Sequence, residues 1–155
     1  MNSVFFLAIG IGIVAGLRSL LAPAVVAWAA HFDWLNLNAS PLAFMGSRTA
    51  VAIFSVLAIG ELIADKLPKT PKRTSLPPLL VRILTGGLCG ASLWAAAGQS
   101  LPAGALLGGT GGVIGAFVGY EIRRRIVNNL HIKDIFVAIC EDLVAIALAY
   151  FLVWR

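Results

Sequence analysis

Val4 to Ala30 reads VFFLAIGIGIVAGLRSLLAPAVVAWAA, an apolar run holding one arginine, Arg18, and one proline, Pro23. It is longer than the roughly 20 residues a helix needs to cross a bilayer. Gly10, Gly12, Gly16, Arg18 and Pro23 interrupt it. Two readings stay open. One is a single span that tilts or kinks; the other is a pair of half-helices that break near Arg18–Pro23 and fold back. The run has no basic n-region and stays apolar past Arg18, so a retained span is expected rather than a cleaved leader.

Four further apolar stretches follow, at Thr49–Lys66, Leu79–Ala97, Ala103–Tyr120 and Ile135–Trp154. The 155 residues are 59% hydrophobic and 12% charged, against roughly 25% charged in an average soluble domain. The fold class expected is all-α, a polytopic transmembrane bundle of about five spans in one domain covering residues 1–155. Pro68, Pro71, Pro77 and Pro78 exclude a continuous helix between spans two and three. Glu121 and the Arg123–Arg125 run are expected to end span four, with Ile126–Lys133 as a short interfacial helix. Arg82, near one end of span three, is expected to snorkel to the interface. Trp28, Phe32 and Trp34 suit an interfacial belt.

The net charge of +5 is concentrated in Lys66–Arg73 and Arg123–Lys133. Both patches sit at the ends of apolar spans, which speaks for anionic lipid headgroups and a cytoplasmic side, and against nucleic acid. A continuous span one puts the N-terminus in the cytoplasm; a broken one makes six segments and moves it to the other side. Cys89 and Cys140 lie in apolar runs without metal-ligand spacing and read as packing residues.

Two short matches suggest a duplication. Ile11–Leu17 resembles Ile114–Tyr120, and Ala58–Glu61 resembles Ala138–Glu141. In the five-span order these become antiparallel partners, an inverted repeat of units 1–67 and 101–155 joined by span 79–97.

The candidate site consists of charges that fall inside or beside apolar runs. Glu61 and Asp65 are four apart on one helical face and repel unless a cation, a proton or an arginine separates them. Glu141 and Asp142 lie about two turns into span five and point about 100° apart, so at most one faces a given partner directly. Arg18 offers five fixed donors, either as a counter-charge or, with a half-helix N-terminus near Ser19, as an anion seat. Glu61, Asp65 and Asp142 have the oxygen chemistry to hold Mg²⁺ near headgroup depth; otherwise no cofactor is expected. Gly104, Gly108 and Gly112 repeat every four residues, as do Gly111, Gly115 and Gly119. These two faces permit close helix contact, including contact within a homodimer. HExxH and nucleophile-elbow signatures are absent, so enzyme chemistry is not the first expectation.

The segments AGLRS (15–19) and GELIADKLPKTPKRT (60–74) resemble those of a bacterial integral-membrane family catalogued as domain of unknown function 4126. The resemblance covers most of the chain and implies a membrane location without a settled activity. Its motif positions are Arg18, Glu61, Asp65, Lys66 and Pro68. The residues and the resemblance together lead to an expected small transporter or permease of the bacterial inner membrane, dimeric, that handles an ion or small charged solute. An anionic-lipid carrier or headgroup-handling protein, and a structural subunit of a membrane complex, are the alternatives.

Overall fold

The computed structural model describes residues 2–65, 74–130 and 134–154. The regular structure there is six α-helices and one 3-10 turn: α1 (Asn2–Leu17), α2 (Leu21–His31), the turn Pro41–Gly46, α3 (Arg48–Ala64), α4 (Leu76–Ala96), α5 (Leu101–Leu130) and α6 (Asp134–Val153). Three of them, α4, α5 and α6, are long and apolar enough to cross a membrane. Their outward faces carry exposed Leu84, Leu106, Phe117, Leu143 and Phe151. Large apolar side chains turned outward on several helices suit a hydrocarbon surrounding, and the fold is a helical membrane bundle.

The first apolar run is broken. In a continuous helix Pro23 could not donate to the Ser19 carbonyl, and its ring would press against it. The chain instead leaves the helix at Arg18 and restarts at Leu21, which puts Pro23 in the first turn of α2, where a missing amide costs nothing. At 1.5 Å per residue α1 is about 24 Å long and α2 about 16 Å, both short of a hydrocarbon core of about 30 Å. They form a hairpin of two half-helices. Val4 and Leu7 near the start of α1 line a cavity of about 280 Å³ with Trp34, Leu152 and Val153. The start of the chain therefore shares one end of the bundle with the segment after α2 and with the end of α6. The continuous first span is thus replaced by the broken pair.

Helix α1 packs lengthwise on α5. A Cβ placed on Gly111 would strike the Ile9 carbonyl, one on Gly115 the Ile13 carbonyl, and one on Gly16 the backbone of Gly112 and Ala116. Position numbers rise together along both helices, so α1 and α5 run parallel. The matched stretches 11–17 and 114–120 are therefore not the antiparallel counterparts that a repeat of 1–67 and 101–155 requires. The other glycine face of α5 meets α4 in the antiparallel sense: a Cβ on Gly86 would lie 2.6 Å from the Gly108 carbonyl oxygen, and one on Gly112 2.6 Å from that of Arg82. Gly104 is closed by Trp94 and Gly90. These glycines are consumed inside the chain, so they do not offer the homodimer surface expected of them. Gly119 is buried as well.

Two helix boundaries differ from expectation. Helix α5 does not stop at Glu121 but runs on to Leu130, because Glu121–Arg125 are good helix formers and Arg125 bonds back to Glu121 at 2.8 Å. Helix α4 starts at Leu76, with its prolines in the first turn, where they are tolerated. Ser47 caps α3 by accepting from the Ala50 amide at 3.1 Å. Trp28, Phe32, Trp34, Tyr150 and Trp154 gather at the end that holds the start of the chain, with Tyr150 and Trp154 edge-to-face at 4.7 Å.

Gly108→Ala forces apart backbones that have no flexible side chain to yield, and should lower stability by about 1–3 kcal/mol. Gly60 has no heavy atom within 4 Å of its added Cβ, so Gly60→Ala should be neutral or stabilising by up to about 1 kcal/mol. Thermal unfolding of the two variants in nanodiscs checks the contrast; equal effects would contradict the packing.

Candidate functional site

The break between α1 and α2 leaves backbone groups that lipid cannot satisfy. The Arg18 amide still reaches Val14 at 2.8 Å, and the next helical bond is Ala24 to Leu20 at 3.2 Å. Between them, the Ser19 and Leu20 amides donate to the two carboxylate oxygens of Glu61, each at 2.8 Å. The Ser19 hydroxyl donates to the same carboxylate. At the other half-helix end, Arg82 Nε donates to the Gly16 carbonyl at 2.9 Å and Nη1 to Pro78 at 3.2 Å. An anion therefore sits at the N-terminus of α2 and a cation at the C-terminus of α1, each opposite in sign to the helix end it meets.

Arg82 is 4% exposed and does not snorkel. Its spacing from Gly86 and Gly90, four and eight residues, places it on the face of α4 that packs inward. That spacing was the readable signal. The half-helix N-terminus near Ser19, expected to form an anion seat with Arg18, is filled by the protein's own Glu61 without the Arg18 side chain.

Arg18 is fully buried at the tip of the hairpin. Its guanidinium pairs with Asp65, just past the end of α3, and with Asp142 of α6 at 2.6 Å. Glu141 stands 3.8 Å from Arg18 and 3.5 Å from Arg123. The 100° step between neighbours thus sets Asp142 on Arg18 and leaves Glu141 between two arginines. Arg123 completes the chain with a two-pronged contact to Asp134, at 2.8 and 2.5 Å. The five expected charged residues all converge on this region, although Glu61 binds backbone and not the Arg18 side chain.

Arg123 and Asp134 were not anticipated, because ending span four at Glu121 removed Arg123 from the helix. Asp134 and Glu141 are seven apart and so share a face of α6, which is the signal the sequence held. The Mg²⁺ arrangement of Glu61, Asp65 and Asp142 is not formed. Their carboxylates face amides and Arg18, and among the described residues no group of three or more His, Cys, Asp or Glu is placed to hold a metal. Lys66 and Pro68, with the rest of the Lys66–Arg73 patch, and Lys133 lie outside the described residues.

A helical membrane bundle with a charged centre at a helix break is the class that this architecture defines. A family model described as Domain of unknown function (DUF4126) matches residues 5–154, and the chain belongs to that family. No curated protein and no solved structure matches it.

Arg18→Met strands the carboxylates of Asp65 and Asp142 and should cost about 3–5 kcal/mol of stability. Adding Asp65→Asn and Asp142→Asn should recover much of that loss, because the stranded charge is then gone. Melting curves of the single and triple variants in nanodiscs test this; a triple variant no more stable than the single one would refute the ion-pair account.

Proposed function

We propose that this protein is a small transporter or permease whose charged centre takes an ion or a small charged solute, with Glu61 as the principal protonatable group. One observation carries the reading: a fully buried arginine sits at the break of a half-helix pair, in contact with carboxylates from α6 and the end of α3. Each buried ion costs several kcal/mol to desolvate, and ionisable groups at bilayer depth mark pathways and proton relays. Discontinuous helices present backbone amides and carbonyls at such sites. Carboxylates also outnumber arginines in the cluster among the described residues, which favours a proton or cation as the species handled.

Glu61 gives the reading a moving part. Protonation removes a charge from the N-terminus of α2 and turns one acceptor oxygen into a hydroxyl, which cannot accept from an amide as strongly. The hairpin tip is then held less firmly. A bacterial inner-membrane location accompanies this proposal, with the basic patches on the cytoplasmic side.

A second reading, a structural or assembly subunit, draws on one observation: Glu61 and Arg82 each satisfy a half-helix end and so have a structural task. Flux separates the two. In vesicles loaded with a pH-sensitive dye, the wild type should dissipate an imposed proton gradient faster than protein-free vesicles do. Glu61→Gln should fall to the protein-free rate while inserting normally. Unchanged flux with an unchanged pH dependence in Glu61→Gln would remove Glu61 from this role, and no wild-type flux would overturn proton movement.

A further inference from the structure

Exposure falls in steps along one line of charges. The Asp134 side chain is 59% exposed, Arg123 18%, Glu141 12%, and Arg18 is fully buried. Each member contacts the next: Asp134 holds Arg123 at two points, Arg123 reaches Glu141 at 3.5 Å, and Glu141 stands 3.8 Å from Arg18. From Leu101 to Arg123 helix α5 climbs about 33 Å at 1.5 Å per residue, the full depth of a hydrocarbon core. Arg123 therefore comes one hydrocarbon thickness along α5 from Leu101, beside the exposed Asp134, and Ile135 and Phe136, exposed just after Asp134, begin the apolar face of α6.

We infer that the Arg123–Asp134 pair is a gate over the charged centre, closing Glu141 and Asp142 against water at the end of the bundle where α5 and α6 meet. The inference deepens the transport reading, on which it rests for its purpose, by assigning a route of access to the site. Arg123 is the positioning residue. Its guanidinium is divided between Asp134 outside and Glu141 inside, so it holds the outer carboxylate over the inner one. With Asp134 neutral, the two-pronged contact loses its charge assistance, and Arg123 is released to swing outward while Glu141 becomes wetted. Among the described residues, Asp142 on α6 also acts on Arg123, and Glu121, Arg124 and Arg125 are the other charged groups of this part of α5; Arg125 is already engaged by Glu121 at 2.8 Å.

Access can be measured without transport. A water-soluble carbodiimide with glycine ethyl ester, applied to the full-length protein in nanodiscs, marks wetted carboxylates that peptide mass spectrometry then locates. Asp134→Asn keeps the shape and the helix-start chemistry of Asp134, and it should raise labelling of Glu141 severalfold. Glu61, tied to the Ser19 and Leu20 amides, should stay unlabelled. Arg123→Gln should act in the same way, and Arg125→Gln on the exposed side of α5 should not. Unchanged Glu141 labelling in Asp134→Asn and Arg123→Gln would overturn the gate, as would an equal rise at Glu61, which signals general loosening, or an equal rise in Arg125→Gln. Increased labelling in a protein that moves no protons would leave the gate standing and overturn proton movement.

Discussion

Everything in this bundle answers to the break at Arg18–Leu20. A helix that stops inside a bilayer exposes amides at one end and carbonyls at the other, and hydrocarbon offers neither a partner. Glu61 supplies the acceptor and Arg82 the donor, from two different helices. Each contact also matches the sign of the helix end, so hydrogen bonding and dipole electrostatics act together. The hairpin thereby ties α3 to α2 and α4 to α1, and the depth of the tip fixes where Arg18 must find its own counter-charges.

The same break explains why the packing relies on glycine. Helix α1 is too short to span alone and gains its hold from α5, which it meets backbone to backbone through Gly12, Gly16, Gly111 and Gly115. Helix α4 meets the other side of α5 in the same manner. Without water to drive association, close van der Waals contact is the main attraction left between helices in lipid. A bundle made this way can place a buried arginine accurately, because its helices have few flexible side chains between them to absorb an error. That rigidity contrasts with the charged line from Asp134 to Arg18, whose members are long side chains able to exchange partners.

Much of the charged centre was legible in the sequence. Arg18, Glu61, Asp65, Glu141 and Asp142 stand out because charges inside apolar runs are costly and few, and the chain gathers them at one end. The partners within that set were not legible. Glu61 and Asp65 share a face of α3, yet one binds the hairpin backbone and the other the Arg18 side chain, a division that depends on the path of α2. Arg82 and Arg123 were missed for different reasons: hydropathy alone does not tell an arginine facing lipid headgroups from one turned inward, and ending span four at Glu121 left Arg123 off a helix that runs on to Leu130.

The sequence by itself determined the class: apolar stretches of bilayer length, an interruption at Arg18–Pro23 and two glycine faces on one helix leave little else than a membrane bundle. Local physics decides those features, since hydropathy, proline and small-residue spacing act over a few turns. Only the tertiary structure decided that the first run folds back on itself, that α1 runs parallel to α5, and that Glu61 fills the anion seat at α2. Those outcomes depend on which unsatisfied backbone group finds which distant side chain, a pairing across some forty residues between Ser19 and Glu61 and more than sixty between Gly16 and Arg82. No local pattern encodes it.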